Sequence, residues 1–414
     1  MEELKAGWRK VKLGDIIDFN PKETLKKNTI SKYVEMAQLQ CFARNIIGYS
    51  FKEYKGGTKF RNGDTLLARI TPCLENGKTA FVDILEEDEV GFGSTEYIVL
   101  RKKEGYTDEN YIFYLAISDL FRQIAIKSMT GTSGRQRVQT EVLKNSEIVI
   151  PEVNIQKKIA SILYLLDEKI ELNRKINQNL EETAQTLFKR WFIDFEFPNE
   201  EGKPYKSSGG KMIESELGEI PERWRVGKLG EIIEINPKEN LKKLEKKIYI
   251  EMKCLSETSS IISEYYEREF TGTGTKFKNK DTLMARITPC LENGKIGYVN
   301  FLEDNDIGWG STEFNILRSQ NNIPKELSYF IARSKNFLDY AISNMNGSSG
   351  RQRVNGKILE EYNIVISPEN IYKKFGKVSN SIMNQIENNR KEIEKLQKLR
   401  DYLLPRLMSG EISV

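Results

Sequence analysis

Short runs of β-branched and apolar residues between polar ones recur along the chain and predict β-strands. Residues 146–150 (Ser-Glu-Ile-Val-Ile) and 362–366 (Tyr-Asn-Ile-Val-Ile) are two such runs. A second pattern lies between the strands of the first half, where residues 108–128 carry apolar side chains at helical spacing. We predict one amphipathic helix there, with an apolar face formed by Tyr111, Leu115, Ile117, Phe121 and Ile124.

In two longer segments, mostly apolar residues recur at alternating intervals of four and three. This spacing is typical of the contact seam of a coiled coil. Residues 155–190 contain neither proline nor glycine and therefore predict an uninterrupted helix. Its seam positions are Ile159, Ile162, Leu166, Lys169, Asn173, Ile176, Leu180, Thr183 and Leu187. The second seam, which Gly376 alone interrupts, consists of Phe375, Val378, Ile382, Gln385, Asn389, Glu392, Leu396, Leu399 and Leu403.

Each seam has apolar ends and a polar middle, with Asn173 and Asn389 at the two midpoints. Two repeats related by a two-fold axis would pack these helices antiparallel, so that midpoint meets midpoint. We therefore predict that Asn173 and Asn389 face each other and set the register of the helix pair, at some cost in stability. The alternative is that both asparagines are solvated and that the helices pack through neighbours such as Ile170, Ile386 and Ile393.

One long block of sequence occurs twice. Residues 64–78 recur as residues 281–295, and only Leu67 against Met284 differs. Other matches keep the same order, at an offset of 216 or 217 residues. They pair Trp8 with Trp224, 13–14 with 229–230, 20–22 with 236–238, 93–96 with 310–313, and 131–138 with 347–354. The chain is therefore a tandem of two similar modules, each followed by a long helix.

The repeat predicts an α+β fold class. Two similar α/β modules are separated by two long helices, which form an antiparallel coiled coil with pseudo-two-fold symmetry. We place the modules at residues 1–151 and 221–367. The first long helix covers residues 152–193, and the second covers residues 368–414 together with a C-terminal tail. Residues 194–220 are predicted to be a linker, because they include a polar stretch rich in glycine, proline and serine.

The composition is ordinary for a globular protein, since 39% of the 414 residues are apolar and 30% are charged. Mean hydropathy is -0.53. The longest apolar run, residues 159–166, is far shorter than the roughly 20 residues that cross a bilayer. No apolar segment typical of a signal peptide follows Met1. We therefore expect a cytoplasmic protein without a membrane partner.

The available chemistry is restricted, because the chain has no histidine. This excludes Ser-His-Asp and Cys-His catalysis and imidazole metal sites, while carboxylate chemistry stays open. The segments Gly77-Lys78 and Asn20-Pro21-Lys22 lack residues that a phosphate loop or an amino-methyltransferase motif requires. We predict no catalytic residues, no metal site and no cofactor. The cysteines, without any Cys-x-x-Cys pair, are predicted to be buried reduced thiols; they are Cys41, Cys73, Cys254 and Cys290.

The strongest candidate for a binding function is the repeated loop Gly-Thr/Ser-Ser-Gly-Arg-Gln-Arg at residues 131–137 and 347–353. Net charge is only +4, so a nucleic-acid surface must be local. Arginine bonds guanine or phosphate, glutamine bonds adenine, and hydroxyls and amides fit phosphate. The alternative is a solvated turn before a strand. The predicted DNA contacts are Thr132, Ser133, Arg135, Gln136, Arg137, Ser348, Ser349, Arg351, Gln352 and Arg353.

The repeated block at residues 69–78 and 286–295 is a second candidate, although its retention is also explained by a structural turn, for which Asn76-Gly77 is a typical signal. The DNA contacts predicted there are Arg69, Asn76, Lys78, Arg286, Asn293 and Lys295. The two copies diverge most at residues 37–54 and 253–270. Gln38, Gln40 and Arg44 of the first copy either read different bases or belong to an unconstrained surface.

Two such modules, each followed by a long helix, resemble the specificity subunits of Type I restriction-modification systems. The resemblance covers essentially the whole chain. It is carried by the run Ala-Arg-Ile-Thr-Pro-Cys-Leu-Glu-Asn-Gly-Lys, by the Gly-Thr/Ser-Ser-Gly-Arg-Gln-Arg loop, and by the segment from Tyr205 to Pro221. It implies a DNA-binding protein that is not itself an enzyme, with one target-recognition domain for each half of a bipartite sequence. Each module would therefore recognise one half-site.

The resemblance also implies partners: double-stranded DNA, two DNA adenine methyltransferase subunits recruited largely through the helices, and restriction or translocase subunits. Methyl donor, ATP and magnesium would belong to those partners. A helix of about 36 residues is roughly 54 Å long, longer than one DNA turn of roughly 34 Å, which suits separated half-sites. Because the modules are alike, we expect the half-sites to be related inverted sequences. The competing interpretations are a standalone methyltransferase or nuclease, and a coiled-coil adaptor without DNA contact.

Overall fold

The computed structural model describes residues 5–132, 134–320, 322–348 and 350–414. The chain forms two compact units. Unit 1 contains the chain up to Leu172 together with Ile393–Val414, and unit 2 contains Asn173–Glu392. Each unit therefore holds one copy of the repeat and a part of both long helices, whereas the boundaries predicted above separate modules from helices.

Unit 1 begins with ten strands and five helices, the last of which continues into unit 2. The strands are β1 (Trp8–Lys12), β2 (Ile17–Phe19), β3 (Ile30–Val34), β4 (Ser50–Glu53), β5 (Thr58–Phe60), β6 (Thr65–Ala68), β7 (Thr79–Phe81), β8 (Gly91–Gly93), β9 (Tyr97–Lys102) and β10 (Glu147–Pro151). The helices are α1 (Leu13–Ile16), α2 (Glu109–Ile117), α3 (Asp119–Lys127), α4 (Thr140–Asn145) and α5 (Val153–Phe192).

The central sheet of unit 1 has the order β2-β9-β6-β7 and is buried on both faces. Ile98 and Leu100 of β9 pack into the core that contains α2, while Tyr97 and Val99 pack into a second core on the opposite face. A smaller sheet has the order β4-β3-β8-β5, in which only the β3–β8 pair is parallel. Strands β1 and β10 form a separate antiparallel pair that leads into α5.

Unit 2 repeats this plan. Its strands are β11 (Met212–Ile213), β12 (Ile220–Pro221), β13 (Arg225–Lys228), β14 (Ile233–Ile235), β15 (Lys246–Ile250), β16 (Tyr266–Glu269), β17 (Thr275–Lys278), β18 (Thr282–Ala285), β19 (Ile296–Tyr298), β20 (Ile307–Gly310), β21 (Phe314–Ser319) and β22 (Asn363–Ile366). Its helices are α6 (Leu327–Arg333), α7 (Lys335–Ser343), α8 (Gly356–Glu360) and α9 (Glu369–Met408), which ends in unit 1. The sheets β14-β21-β18-β19 and β16-β15-β20-β17 match those of unit 1.

The single helix predicted for residues 108–128 is two helices, α2 and α3. Ser118 separates them, because its backbone is extended (ψ 150°) and its hydroxyl accepts from the Phe121 amide, which caps α3. Asp108 caps α2 in the same way, accepting from the amides of Asn110 and Tyr111. Serine and aspartate are favoured at this position because they satisfy amides that lack a helical partner.

The predicted polar linker at residues 194–220 is a folded part of unit 2. Phe195 and Phe197 are 8% and 5% exposed and belong to its main core. The ring of Phe197 stacks on Tyr205 (centroids 4.6 Å apart) and on Trp224 (5.0 Å). Aromatic rings bury a large apolar area, and this outweighs the loop-forming composition of the segment between them.

The long helices α5 and α9 run antiparallel within each unit. In unit 2, Asn173 contacts Glu392 while Phe188 contacts Phe375, and in unit 1 Asp167 contacts Arg400. At seven of the nine predicted seam positions of α5 the buried residue is the next one along the chain, whereas Ile159 and Asn173 are buried as predicted. Three of the displaced positions hold polar residues, Asp167, Asn177 and Glu181, whose burial an apolar pattern does not reveal. The buried stripe includes Ile159, Leu163, Asp167, Ile170, Asn173, Asn177, Glu181, Ala184 and Phe188.

The predicted direct pair of Asn173 and Asn389 is wrong by about one helical turn. Asn173 donates to a carboxylate oxygen of Glu392 (2.8 Å), and Asn389 donates to the side-chain carbonyl of Asn177 (2.8 Å). Both asparagines are buried, so the alternative of solvated side chains is also wrong, although Ile170 and Ile386 are buried as it expects. Each midpoint asparagine therefore meets an acceptor about one turn from the midpoint of the other helix, Glu392 for Asn173 and Asn177 for Asn389.

The cysteines also differ from the prediction. Cys254 is buried, Cys73 and Cys290 are half-buried, and Cys41 is exposed; all four are free thiols. Burial raises the pKa of the Cys254 thiol. Along the described part of the chain, no helix is both long and apolar enough to cross a membrane, and α5 and α9 carry charged residues throughout.

Candidate functional site

Two repeated sequence motifs meet at one edge of unit 1. The turn between β6 and β7 contains residues 69–78, and the loop between α3 and α4 contains residues 131–137. The Thr71 amide donates to the Gln136 carbonyl (3.1 Å), and the Gln136 amide donates to the Thr71 hydroxyl (2.8 Å). The Val138 amide donates to the Arg69 carbonyl (2.9 Å). These backbone contacts join the turn and the loop into one surface.

Unit 2 contains the same arrangement. The Thr288 amide donates to the Gln352 carbonyl (3.1 Å), and the Gln352 amide donates to the Thr288 hydroxyl (3.2 Å). The Val354 amide donates to the Arg286 carbonyl (2.9 Å). We call the surface formed by residues 69–78 and 131–137 contact edge 1, and that formed by residues 286–295 and 347–353 contact edge 2.

One arginine of each loop is held by a glutamate. Arg137 donates to Glu96 through Nη2 (2.7 Å) and Nε (3.0 Å), and Arg353 donates to Glu313 in the same bidentate way (2.7 and 2.9 Å). The guanidinium of Arg137 lowers the pKa of Glu96, and that of Arg353 lowers the pKa of Glu313. Both carboxylates precede a central strand, so these bonds tie the loop to the sheet.

The other arginine of each loop, Arg135 or Arg351, is exposed. Its amide closes a turn by donating to the carbonyl of Thr132 (2.9 Å) or Ser348 (2.9 Å), both also exposed. Gly134 and Gly350 have φ of 79°, a left-handed conformation that favours glycine. Gln136 and Gln352 are half-buried. Ser133 and Ser349 lie outside the described residues.

The remaining predicted contacts lie on the turns of the two contact edges. Asn76 and Asn293 are exposed, whereas Arg69, Lys78, Arg286 and Lys295 are half-buried. Lys78 donates to the Met36 carbonyl (2.8 Å), which directs its ammonium toward the protein. The Nε atoms of Arg69 and Arg286 are buried without a hydrogen-bond partner among the described residues, although Arg69 Nε lies 3.8 Å from Glu96.

Comparison with known proteins identifies the family to which this chain belongs. The profile of the Type I restriction modification DNA specificity domain matches twice, at residues 5–182 and 221–399. The chain belongs to the Type I restriction-modification specificity subunit family. Its two modules are therefore target-recognition domains, here recognition domains 1 and 2, which carry contact edges 1 and 2 respectively.

Individual relatives agree with this assignment. The specificity subunit of the Type I restriction enzyme MjaIX from Methanocaldococcus jannaschii is 30% identical, over 75% of this chain and 71% of its own length. That of HindI from Haemophilus influenzae is 26% identical, over 98% of this chain and all of its own length. The crystal structure of a Type I S subunit from M. genitalium has the same fold, with a TM-score of 0.57 and 17% identity over 99% of this chain and 98% of its own.

Two arginines of this specificity subunit stabilise the contact edges and were missed by the sequence analysis. Arg122 of α3 donates to the Glu75 carbonyl (2.8 Å) in edge 1. Arg333 of α6 donates to five carbonyls in and around edge 2, including that of Gly294 (2.6 Å). They come from different helices, so a comparison of the two repeats contains no signal for them. Glu96 and Glu313 did have a signal, because both repeats retain them.

Arg44, one of the divergent residues considered for base reading, is a core residue instead. It is 5% exposed, its guanidinium lies 3.7 Å from the centroid of the Phe81 ring, and it donates to Asn110 (2.8 Å). Its counterpart Ser260 is also buried and donates to Glu181 (2.7 Å). Neither side chain is placed to contact a ligand.

The clamp between Glu96 and Arg137 predicts an acid-dependent loss of stability. The pKa of Glu96 is lowered in the folded protein from its ordinary 4.5, so the pair stabilises the fold above pH 4.5 and loses this effect as the pH falls through the folded value. We expect Glu96→Gln to melt below wild type at pH 7, with the difference narrowing below about pH 4.5. Thermal unfolding of both proteins from pH 3 to 7 measures this; a constant difference would contradict it.

Proposed function

We propose that this specificity subunit binds double-stranded DNA through its two contact edges, one half-site per recognition domain, and that it has no catalytic activity of its own. One observation supports this most strongly. In each domain a loop tied to the sheet by a bidentate ion pair presents an exposed arginine, Arg135 or Arg351, together with an exposed hydroxyl residue. A loop that is anchored to the sheet beside its exposed donors can offer them to base edges or phosphates at lower cost in entropy than an unanchored one.

The geometry suggests a division of roles among the predicted contacts. We assign guanine or phosphate contacts to Arg135 and Arg351, and adenine contacts to Asn76 and Asn293, because these four side chains are exposed. Thr132 and Ser348 fit phosphate oxygens. Arg137 and Arg353 are better explained as positioning residues, because their guanidinium groups are already engaged by Glu96 and Glu313.

The two half-sites should share bases, since both edges retain Arg-Gln-Arg and the exposed asparagine. Selection of bound duplexes from a random library, by the purified chain at stated salt, tests the function directly. We expect a bipartite consensus. Recovery of random sequence would contradict DNA reading and favour a coiled-coil adaptor.

The enzyme alternative needs a separate test. Among the described residues no group of Cys, Asp and Glu side chains is arranged to hold a metal ion. We expect the purified chain to transfer no methyl group from a labelled methyl donor to the selected duplex, and to support transfer once a DNA adenine methyltransferase subunit is added. Methylation or cleavage by the chain alone would contradict the non-catalytic role.

We further propose that the long helices recruit two methyltransferase subunits, and restriction subunits in the full complex. Within unit 1, α5 exposes Leu165 (63%) and Leu172 (52%) seven residues apart on one face, and α9 exposes Leu399 and Tyr402. Large apolar side chains at repeated helical positions are typical of a protein interface. DNA would bind at a different surface, contact edges 1 and 2.

Accordingly, Leu165→Glu with Leu172→Glu should weaken methyltransferase binding at least about tenfold, because it places two charges in an apolar contact. DNA affinity of the isolated chain should stay unchanged. Lys157→Gln with Lys175→Gln, which lowers the net charge by the same amount at exposed polar positions of the same helix, is the matched control. Analytical ultracentrifugation measures the complex; equal losses in both variants would remove Leu165 and Leu172 from the interface.

A further inference from the structure

An exposed aromatic ring lies against contact edge 1. Phe42 is 37% exposed and has φ of 53°. Its amide donates to the Gly77 carbonyl (3.0 Å). A Cβ atom on Gly77 would lie 2.5 Å from the ring, so the glycine allows the ring to lie directly on the turn that carries Asn76. The ring is therefore next to one of the predicted DNA contacts.

Arg122 holds this ring from a second side. Its guanidinium lies 4.4 Å from the ring centroid, a cation–π distance. The same guanidinium donates to the carbonyls of Glu75 (2.8 Å) and Leu74 (3.3 Å) in the turn. Phe42, Arg122 and the turn thus form one assembly, in which Phe42 stays partly exposed to solvent.

Recognition domain 2 stabilises the same turn without a ring. The position equivalent to Phe42 is Thr258, which is exposed. The turn is held there by Arg333, which donates to the carbonyls of Gly294 (2.6 Å) and Glu257 (2.7 Å). The two edges therefore share their arginine loop and asparagine turn but differ in one exposed apolar surface.

We propose that Phe42 makes an apolar contact with a thymine methyl group in the half-site of recognition domain 1, and so distinguishes that half-site from the half-site of recognition domain 2. The inference rests on the proposed function and adds a specificity determinant to it. Phenylalanine is a side chain that contacts the thymine methyl in the major groove. A ring that is already immobilised loses little conformational entropy on binding, which favours such a contact over a flexible side chain.

The test replaces each thymine of the selected duplex in turn by deoxyuridine, which lacks the methyl group. We expect wild-type protein to lose affinity about fourfold at one position of the domain 1 half-site, the effect of one buried methyl group. Phe42→Ala should bind the thymine and deoxyuridine duplexes equally. Phe51→Ala, which removes a ring that is 64% exposed on β4 of the same domain, should keep the wild-type sensitivity.

The outcomes separate the two proposals. If wild-type protein selects no consensus, the proposed function fails. If it selects a consensus but no replacement of thymine by deoxyuridine lowers the affinity, the role of Phe42 is overturned while the proposed function stands. The same holds if Phe42→Ala still loses affinity on that replacement. Equal loss of sensitivity in Phe51→Ala would also overturn it. Melting temperatures of both variants, together with their affinity for the domain 2 half-site, show that they are folded.

Discussion

Replacing Arg135 and Arg351 together by alanine is expected to reduce DNA affinity at least about thirtyfold, because each arginine that contacts a base or phosphate contributes about 1–3 kcal/mol. Both side chains are exposed, and Gly134 and Gly350 beside them have open space around them. The substitution therefore removes contacts with DNA without removing contacts within the protein. Gel-shift titration at several salt concentrations measures the loss.

The salt series shows which part of DNA these arginines contact. If each neutralises one phosphate, the slope of log affinity against log salt falls by about 0.9 per arginine. If they bond guanine, the slope changes less and selectivity for the consensus declines. The matched control is Arg9→Ala with Arg223→Ala, which removes the same charge at exposed positions outside the contact edges. An equal loss in the control would show that only net charge matters.

Arg137→Ala should behave differently from Arg135→Ala. The guanidinium of Arg137 donates to Glu96. Loss of Arg137 should therefore loosen the loop and lower the melting temperature as well as the DNA affinity. Arg135→Ala should lower the affinity alone. Wild-type melting behaviour in Arg137→Ala would contradict the positioning role.

Replacing Asp167 by asparagine is expected to destabilise unit 1 by about 3 kcal/mol, since the buried Arg400 then loses its buried partner and keeps the exposed Asp401. Asp167 and Arg400 are each 7% exposed, and Arg400 donates to Asp167 (2.9 Å) across the helix pair. The Tyr114 hydroxyl also donates to Asp167 (2.8 Å), which links recognition domain 1 to the helices. Asparagine keeps an acceptor for the Tyr114 hydroxyl, but it removes the charge and replaces the oxygen that accepts from Arg400 with an NH2 group.

Denaturant unfolding of wild type, Asp167→Asn, and Asp167→Asn combined with Arg400→Met measures this effect. The combined variant also removes the buried arginine charge and should regain most of the lost stability, because apolar replacements of buried ion pairs are often neutral or stabilising. Asp401, the second partner of Arg400, is exposed, so Asp401→Asn should cost less than about 1 kcal/mol. Equal losses in Asp167→Asn and Asp401→Asn would refute the argument from burial.

The repeat explains why so much could be predicted from the sequence. Two copies of one module show which residues are retained, and the retained motifs do meet at one edge, joined by backbone bonds such as that from Thr71 to Gln136. The family and the role as a two-domain specificity subunit are confirmed by the matches at residues 5–182 and 221–399, and the α+β class is confirmed by the strands and helices of both units. The two long helices were equally readable, even though α9 contains Gly376 and Pro405, because helical periodicity is a local property of the chain.

Contacts between distant segments decided the rest. Whether Arg135 or Arg137 is exposed depends on where Glu96 lies, and Glu96 is 41 residues from Arg137 along the chain. The partners of Asn173 and Asn389 depend on a shift between two helices that no local pattern contains. The ring of Phe42 gained its place from Gly77 and Arg122, residues far from it in sequence. The sequence by itself determined the repeat, the family and the two long helices, whereas tertiary packing determined which of the retained side chains remain available to bind.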